Sequence, residues 1–385
     1  MRSKNSHYDP AIDHLRAFAA LMVMFGHGYE MVFRRFSNAG NYTDPVDTNP
    51  LYVFILESHT GVALFMVLSG YIFTRSAMGR SISYPAFMLN RFLRIYPLMV
   101  AILFVAIALH PELFSPFKFL RSLLLFYRLP GVDFGPLLEI APWTAIFWTI
   151  TPEFQFYLIF PLLMFLFSKY GKWPLIMLWI AALLARFFVA IFLFDIADIS
   201  YSTIYGRIDQ FLLGMLAAIW TRGQLPESRL AIWLFPVACV VVLVMLLIFH
   251  YMAGPIAPVW WRAVWPTIEG AGWVFFTTTY LAISRYIPRW PAMCLLLIGE
   301  ASYSIYLLHQ AVFTFLYWQA GNLYRLSPLA QLDFNLSLAS VLVVGFFLAP
   351  IVIGISMVTY RLIEWPFLNF RVRYLRDRMP LNQQA

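Results

Sequence analysis

The sequence predicts an all-α, polytopic membrane protein with about ten transmembrane helices and both termini in the cytoplasm. Of its 385 residues, 61% are hydrophobic and only 12% are charged, whereas a typical soluble domain is about 45–50% apolar and about 25% charged. The apolar residues also form repeated runs close to the length of about 20 residues that a bilayer-spanning helix needs. These observations exclude a soluble single-domain protein.

Ten apolar runs, separated by Pro, Gly and charged residues, are predicted to span the bilayer. They cover residues 11–33, 51–74, 94–110, 143–167, 174–194, 204–221, 229–251, 263–284, 292–317 and 336–361. The first run has no clean apolar stretch followed by a cleavage site of small residues, so we expect it to be retained as a helix. No internal repeat or linker divides the chain, and we expect residues 1–385 to form one integral-membrane domain with no additional extracytoplasmic domain.

The distribution of basic residues predicts the orientation. With the N-terminus inside, the cytoplasmic side holds more than twice as many Lys and Arg residues as the outer side, and positive loops stay in the cytoplasm. Topology therefore explains the net charge of +8, and we expect a multi-pass protein of the cell (inner) membrane without a nucleic-acid partner. Cys239 and Cys294 lie in apolar runs without a Cys or His partner at metal-ligand spacing, so neither a disulfide nor a metal site is predicted.

Ionisable residues within the first span are the most informative feature of the sequence, because each such group costs a few kcal/mol and marks a functional site by default. Arg16 and His27 are 11 residues apart; this spacing places them on one helix face, separated by about 16 Å along the axis. Asp13 precedes Arg16 by three residues and Glu30 follows His27 by three, which extends the same face. The first helix is thus predicted to carry a polar face through the bilayer.

Other spans add polar residues at two depths. The predicted outer layer contains His27, Glu30, Glu57, His59, Glu269 and His309, and the inner layer contains Asp13, Arg16, Arg91, Arg94, Glu300 and Glu364. Glu153 is expected near the midplane, with Tyr157 one turn further on the same face. Two layers indicate that one compound enters from the cytoplasm and another from outside.

Several of these residues have a structural interpretation as well as a functional one. Arg91 and Arg94 share a helix face at a cytoplasmic boundary, which suits either topology anchors or paired guanidinium groups for a polyphosphate. Glu57 and His59 are compatible with a buried pair, and Arg361 with Glu364 is compatible with a pair at a helix end. His309 stands alone on an apolar helix, which is more typical of a hydrogen-bonded core histidine than of a ligand.

Seven strings carry a family resemblance. Asp13 and an R-x10-H motif from Arg16 to His27 come first, and later strings include NRFLRIYP from Asn90 and WTITPEFQFYLIFP from Trp148. The others are GVALFMVLSGY (61–71), GRIDQFLLGMLAA (206–218), IGEASYSIYLLH (298–309) and YRLIEWPF (360–367). In their order along the chain, the seven strings together resemble acyltransferase family 3, the membrane-bound O-acyltransferases that modify bacterial surface glycans and related molecules. The resemblance covers nearly the whole chain.

The resemblance implies transfer of an acyl group, usually acetyl, from cytoplasmic acyl-CoA to a hydroxyl of a glycan, a lipid-linked sugar or a similar acceptor. It implies no permanently bound cofactor. The site residues are then predicted as follows: His27 is the general base, Asp13 and Arg16 pair and shape the donor channel, Arg91 and Arg94 hold CoA phosphates, Glu153 and Tyr157 orient the acceptor or His27, and Trp148 stacks on a sugar ring.

A transporter or flippase for a polar substrate is the competing class, because buried ionisable residues also mark transport paths. The sequence disfavours it, since no internal repeat and no pair of matching broken spans is visible. Direct attack by the hydroxyl and a covalent acyl relay both fit the sequence. Acceptor identity, acyl chain length, oligomeric state and the roles of Glu57, His59, Glu269 and His309 are not encoded in any motif that we identify.

Overall fold

The computed structural model of the protein describes residues 8–36, 49–125, 142–192, 196–221, 228–252, 260–324 and 341–377. The described residues are almost entirely helical, which confirms the all-α class. The elements are α1 (Pro10–Phe36), α2 (Pro50–Leu56), α3 (Gly61–Ala77), β1 (Arg80–Ile82), α4 (Tyr84–Leu109), α5 (Pro116–Leu124), α6 (Ile150–Tyr170), α7 (Trp173–Phe192), α8 (Ile196–Ser202), α9 (Ile204–Trp220), α10 (Ser228–Tyr251), α11 (Trp265–Ile283), α12 (Arg289–Glu300), α13 (Ser302–Tyr324), α14 (Val341–Asn369) and β2 (Leu375–Asp377). Short 3-10 turns cover Glu57–Thr60, Pro111–Leu113, Pro142–Thr149, Trp260–Ala263 and Ser284–Tyr286.

Several helices are long and apolar enough to cross a membrane. Within the described residues there are six such helical segments, Pro50–Ala77, Tyr84–Leu109, Ile146–Tyr170, Trp173–Phe192, Arg229–Tyr251 and Val341–Asn369. If the bent pair of α12 and α13 is counted as one span, the described residues contain up to seven such segments. These segments confirm a multi-pass membrane protein. The first residues of the predicted tenth span, 336–340, lie outside the described residues.

Three predicted spans differ from the observed helices. The second is interrupted by the 3-10 turn at the polar run Glu57–Thr60, and the ninth bends by 70° between α12 and α13. At that bend the backbone of Asp13 packs so closely on Gly299 that a Cβ atom there would overlap it. The third span was predicted to begin at residue 94, but α4 begins at Tyr84. Arg91 and Arg94 therefore lie inside a helix that continues past them and do not mark its end.

The helices differ strongly in how much of their surface the protein covers. In Pro50–Ala77, 67% of the apolar window is buried inside the protein, compared with 11% in Trp173–Phe192. Pro50–Ala77 is therefore central, whereas Trp173–Phe192 lies at the periphery, where its side chains are available to lipid. α1 packs against α3, α12 and α13, so the helix with the most ionisable residues also has a central position.

A short antiparallel sheet holds the segment after α14 against the start of α4. Arg80 pairs with Asp377 and Ile82 with Leu375 across β1 and β2. The Asn90 side chain of α4 both donates to the Val372 carbonyl (2.8 Å) and accepts from the Val372 backbone amide (2.9 Å). Residues far apart in the sequence are thereby fixed next to one another.

The closest helix contact joins α3 to α9 through two glycines. A Cβ atom at Gly70 would overlap the Phe211 carbonyl oxygen, and one at Gly214 would overlap the Val67 carbonyl oxygen. Small residues allow backbones to approach in this way, and close packing is a main source of helix association in membranes.

We expect Gly70→Ala and Gly214→Ala to destabilise the protein by about 1–3 kcal/mol each, because the two helices must separate to admit the methyl group. The measurement is the thermal-unfolding midpoint in detergent. Gly354→Ala is the matched control, since no described atom lies within 4 Å of a Cβ at that position. Equal midpoints for all three variants would contradict the packing described for α3 and α9.

Candidate active site

A cavity with a volume of about 270 Å³ lies between α1, α3, α4, α6, α12, α13, α14 and the segment that follows α14. At one end it is bordered by Asp9, Ser76, Asn90, Arg371 and Tyr374, which lie near the β1–β2 sheet. At the other end it reaches Val62, Phe65, Thr149 and Tyr306. Its charged lining residues are Asp9, Asp13, Arg16, Arg91, Arg94, Glu153, Glu300 and Arg371. Five of the residues predicted for the site, Asp13, Arg16, Arg91, Arg94 and Glu153, thus lie around one space, and Tyr157 lines it too.

The guanidinium group of Arg91 has no carboxylate partner among the described residues. It lies over aromatic rings instead, 4.7 Å from the ring centroid of Phe73 and 5.5 Å from that of Tyr157. Aromatic faces stabilise a cation by electrostatic attraction without neutralising it. Arg91 therefore keeps a full positive charge at the wall of the cavity.

Arg94 differs from Arg91 because it is paired. Its Nη1 atom lies 2.8 Å from Oε2 of the buried Glu364, and Ser304 donates a second hydrogen bond to the same carboxylate. The predicted pair of Arg361 with Glu364 is wrong. Residues 360–364 form a π-helical turn of α14, in which Glu364 turns inward to Arg94 while Arg361 is exposed.

Arg371 joins this group although no motif in the sequence selects it. It follows α14 by two residues and lines the cavity with Arg16, Arg91 and Arg94. Burial first, and then the positive charges of Arg91, Arg94 and Arg16, lower the pKa of Arg371 to about 9. The electrostatic environment at this end of the cavity is thus one that an anionic ligand would relieve.

The inner face of α1 has the ion pair that its sequence predicts. Arg16 Nη1 and Asp13 Oδ1 are 3.1 Å apart, and the Tyr8 hydroxyl donates to the other oxygen of Asp13 (2.9 Å). Asp9, one turn earlier, pairs with Arg75 of α3 at 2.9 Å. Since Asp13 is held from two sides, it fixes the guanidinium of Arg16 at the cavity wall.

Glu153 and Tyr157 of α6 contact each other, one helical turn apart. The Tyr157 hydroxyl donates a hydrogen bond to Glu153 Oε1, and the Ser69 hydroxyl lies 3.4 Å from the same oxygen. Trp148, in contrast, does not line the cavity. The Trp148 ring packs against Tyr201, with centroids 4.8 Å apart, so the residue predicted to stack on a sugar contacts another aromatic side chain.

His27 contacts a second histidine. Its Nδ1 atom lies 2.8 Å from Nε2 of His309, and the rings are within 11° of parallel with centroids 5.1 Å apart. His309 is fully buried on α13, and its Nδ1 atom lies 3.1 Å from the Ile305 carbonyl oxygen. His309 is thus a buried, hydrogen-bonded histidine, as predicted, and one of its two partners is His27. The signal for its role is the polar face that Ser302, Tyr306 and His309 form on α13 at helical spacing.

The cavity ends one helical turn below this histidine pair. Of the described residues, neither His27 nor His309 lines it. Tyr306 separates them: its ring lies 5.8 Å from that of His309 and 6.1 Å from that of Phe65, and its hydroxyl accepts a hydrogen bond from Thr149 (2.9 Å). The Tyr306 ring thus lies between the arginine cavity and the histidine pair.

A second polar network fills the interior between α3, α9 and α11. Arg207 Nη1 lies 2.9 Å from Glu269 Oε2, Gln210 donates to the same oxygen at 2.7 Å, and Thr60 donates to Oε1 at 2.6 Å. All four side chains are buried. Each polar group of Glu269 is therefore satisfied within the protein, which indicates a structural role.

The predicted pair of Glu57 and His59 is present and has a third member. His59 Nδ1 lies 3.4 Å from Glu57 Oε2, and His250 Nδ1 of α10 lies 2.8 Å from Glu57 Oε1. His59 is also close enough to His27 to interact with it electrostatically. The outer polar layer therefore adjoins the histidine pair.

A cavity lined by four arginines and a buried histidine pair lie among the same membrane helices, and comparison with known proteins defines the class of the protein. A family model described as an acyltransferase domain matches residues 9–361. The chain belongs to this family, acyltransferase family 3, as its motifs predict.

Two relatives are similar to parts of the chain. Nodulation protein 10 of Rhizobium leguminosarum bv. viciae is 30% identical over 192 aligned residues, which cover 44% of this chain and 48% of that protein. The peptidoglycan O-acetyltransferase OatA of Listeria monocytogenes serovar 1/2a (strain ATCC BAA-679 / EGD-e) is 24% identical over 351 residues, which cover 80% of this chain and 50% of that protein. The chain thus spans about half the length of each relative. No solved structure gives a significant match.

The buried network at Glu269 yields a stability prediction. We expect Glu269→Leu to cost about 3–5 kcal/mol of stability, because it leaves Arg207 buried without its carboxylate, and we expect the double variant Arg207→Met/Glu269→Leu to recover most of that loss. Thermal unfolding in detergent measures both. Glu112→Leu, at an exposed carboxylate, is the control and should change little. A double variant no more stable than Glu269→Leu alone would contradict the pairing.

Proposed function

We propose that the protein is an integral-membrane O-acyltransferase that moves an acyl group, acetyl in the first instance, from acyl-CoA to a hydroxyl of a cell-surface glycan or a lipid-linked sugar. The observation that carries the proposal is the convergence of Arg16, Arg91, Arg94 and Arg371 on one cavity that extends toward His27. The family of the chain supports the acyl transfer. The name of the Listeria relative, a peptidoglycan O-acetyltransferase, supports a glycan acceptor.

The arginines suit the phosphates of CoA. Guanidinium groups bind phosphate oxygens with two parallel hydrogen bonds, and several such groups together recognise a polyphosphate. Arg91 has no carboxylate to compete with a ligand among the described residues. Burial, followed by the positive charges of Arg91, Arg94 and Arg16, lowers the pKa of Arg371. The clustering of positive charge around one cavity favours a role of Arg91 and Arg94 in ligand binding over a role as topology anchors. Residues that only set topology do not need to face the same cavity.

The path to the reacting groups follows α1. Arg16 and His27 are separated by about 16 Å along the helix axis, a distance suited to the long pantetheine arm of CoA. The arm occupies the cavity, and its thioester end reaches Phe65, Thr149 and Tyr306. We expect the bound thioester to displace the Tyr306 ring, since this ring separates the cavity from the histidine pair.

His27 acts as the general base in this proposal. It takes the proton of the acceptor hydroxyl as the oxygen attacks the thioester carbonyl, and it returns that proton to the departing thiolate of CoA. We propose direct attack, because among the described residues His27 hydrogen-bonds only to His309. No serine, threonine or cysteine there is held against it as a nucleophile.

The remaining predicted residues support this reaction from its two sides. Asp13 orients Arg16 along the donor path, and Glu153 with Tyr157 provides a carboxylate and a hydroxyl near the middle of the cavity. Trp148 and Tyr201 face the outer polar layer, on the side from which the acceptor arrives, and their aromatic surfaces suit the apolar face of a sugar ring.

We further propose the full topology. α1, α9 and α11 cross the bilayer in addition to the seven apolar spans, which gives ten spans with both termini in the cytoplasm. These three helices carry Arg16, His27, Arg207 and Glu269. Polar residues are the reason that apolarity alone does not identify α1 and α11, and α9 is also short, with 17 residues. The surrounding helices shield the polar residues from lipid. The expected location is the cell (inner) membrane, with donor and acceptor entering from opposite sides.

A transporter or flippase is the second candidate. The interrupted helices at Glu57–Thr60 and between α12 and α13 favour it, because transporters bind their substrates at discontinuous helices. The enzyme is distinguished by turnover of acyl-CoA in detergent, where no gradient exists.

We expect Arg91→Gln and Arg371→Gln each to weaken acetyl-CoA binding by about ten- to a hundredfold, since each removes a charged hydrogen bond worth about 1.5–3 kcal/mol. Calorimetric titration of the purified protein measures the dissociation constant. Arg376→Gln is the control because it changes the charge of the same C-terminal segment outside the cavity. Pantetheine, which lacks the phosphates of CoA, should bind all variants equally. Unchanged affinity in Arg91→Gln, together with an altered topology, would favour the anchor interpretation.

We expect His27→Ala to lower glycan-stimulated release of CoA from acetyl-CoA by about 10²–10⁴-fold, because the general base is lost, while acetyl-CoA affinity is retained. The assay uses purified protein in nanodiscs with and without a crude envelope-glycan extract. His110→Ala, after the end of α4, is the matched control. Full activity of His27→Ala would eliminate the assignment, and a wild-type protein that neither binds nor cleaves acetyl-CoA would favour the transporter.

A further inference from the structure

The hydrogen bonds of His309 determine which nitrogen of His27 carries a proton. His309 Nδ1 lies 3.1 Å from the Ile305 carbonyl oxygen, and a carbonyl oxygen only accepts hydrogen bonds. His309 Nδ1 is therefore protonated. The other nitrogen of the same ring, Nε2, lies 2.8 Å from His27 Nδ1.

A neutral His309 leaves a lone pair on Nε2. An imidazolium at this position would place a charge on a side chain without exposed surface and without a carboxylate partner among the described residues, which is strongly unfavourable. His309 Nε2 thus accepts, and His27 Nδ1 donates the hydrogen atom between the two rings. In a neutral imidazole one nitrogen carries hydrogen and the other does not, so the lone pair of His27 is on Nε2.

We propose that His309 is a positioning residue that holds His27 in the tautomer with an unprotonated Nε2 and so makes this atom the base of the acyl transfer. The inference rests on the proposed function for its consequence and on the two histidine contacts for its geometry. It specifies His27 Nε2 as the reacting atom and His309 as the residue that selects this atom. The Ile305 carbonyl is the backbone group that aligns His309.

The reaction balances at His27 Nε2. The acceptor O–H bond breaks and its proton moves to Nε2 while the acceptor oxygen bonds to the thioester carbonyl carbon. The carbon–sulfur bond then breaks, and the departing CoA sulfur takes the proton from Nε2. His27 returns to its starting tautomer, and His309 keeps its own hydrogen throughout.

His309 also stabilises the charged intermediate form of His27. When Nε2 takes up a proton, the Nδ1–H group of His27 becomes a charged donor, and hydrogen bonds with a charged partner are roughly twice as strong as neutral ones. The carboxylate of the serine protease triad acts on its histidine in the same two ways, selecting a tautomer and stabilising the imidazolium. Because His309 is a neutral acceptor, it stabilises the imidazolium form of His27 less than a carboxylate would.

Two amide substitutions separate this role from simple packing. The Oε1 atom of Gln is as many bonds from Cβ as His Nε2, whereas the Oδ1 atom of Asn takes the place of His Nδ1. His309→Gln thus keeps an acceptor for His27, and His309→Asn does not. We expect kcat for CoA release from acetyl-CoA with envelope-glycan extract to stay within about tenfold of wild type in His309→Gln and to fall by about 10²-fold or more in His309→Asn.

The donor site should not respond to either change. KM for acetyl-CoA is expected to be the same in both variants, because neither His27 nor His309 lines the arginine cavity. Equal unfolding midpoints for the two amide variants establish that the difference in kcat is not a loss of folding. Equal kcat values for Gln and Asn, or a loss that appears in KM instead of kcat, would overturn the proposal.

Nitrogen chemical shifts test the tautomer without any activity. The protein contains seven histidines, and the His27 signals of a histidine-labelled sample are identified by their loss in His27→Ala. We expect a protonated Nδ1 and an unprotonated Nε2 in wild type and His309→Gln, and a mixture in His309→Asn. An Nε2-protonated His27 in wild type would refute the inference even in an active enzyme, whereas the expected tautomer in a protein without acyl transfer would refute the proposed function alone.

Discussion

The free energy of placing a charge inside a membrane constrains the arrangement of these helices more than any other interaction. Three ion pairs of the described residues join segments distant in the sequence: Arg207 with Glu269, Arg186 with Asp209 and Arg94 with Glu364. Removing one partner of such a pair leaves an uncompensated charge that costs several kcal/mol. The pairs therefore fix which faces of α4, α7, α9, α11 and α14 point inward. Apolar packing, as at Gly70 and Gly214, then brings those faces together.

Against this background the side chains without a fully matched charge are informative. Arg91 lies over aromatic rings, and the histidine pair has no carboxylate hydrogen bond among the described residues. The protein retains these groups at a free-energy cost, which agrees with the roles proposed for them in binding an anion and in transferring a proton. The pairs Arg207–Glu269 and Arg186–Asp209 connect α7, α9 and α11, whereas Arg91 lies on α4 and the histidine pair joins α1 to α13.

The sequence was sufficient for two contacts that are local along one helix. Arg16 pairs with Asp13 three residues away, and Tyr157 contacts Glu153 four residues away, as helical spacing predicts. It was insufficient where the contact depends on the rotation of two helices about their axes. His309 meets His27 across 282 positions, and hydropathy carries no information about that rotation. The position of Arg371 at the cavity could not be predicted for another reason. Arg371 lies beyond the last span, where basic residues also serve to set topology. The start of α4 was misplaced because charged residues normally mark helix ends in membranes, and here they are shielded inside.

The antiparallel sheet of β1 and β2 has a consequence for the order in which the protein is assembled during synthesis. Asn90 and Val372 are 282 positions apart and exchange two hydrogen bonds, and this contact holds Arg371 beside Arg91. During synthesis, therefore, the nascent chain inserts α1, α4 and their ionisable residues long before the fourth arginine emerges from the ribosome. The cationic wall is assembled last, when β2 docks onto β1. A chain that terminates before residue 371 therefore lacks one of the four arginines that line the cavity.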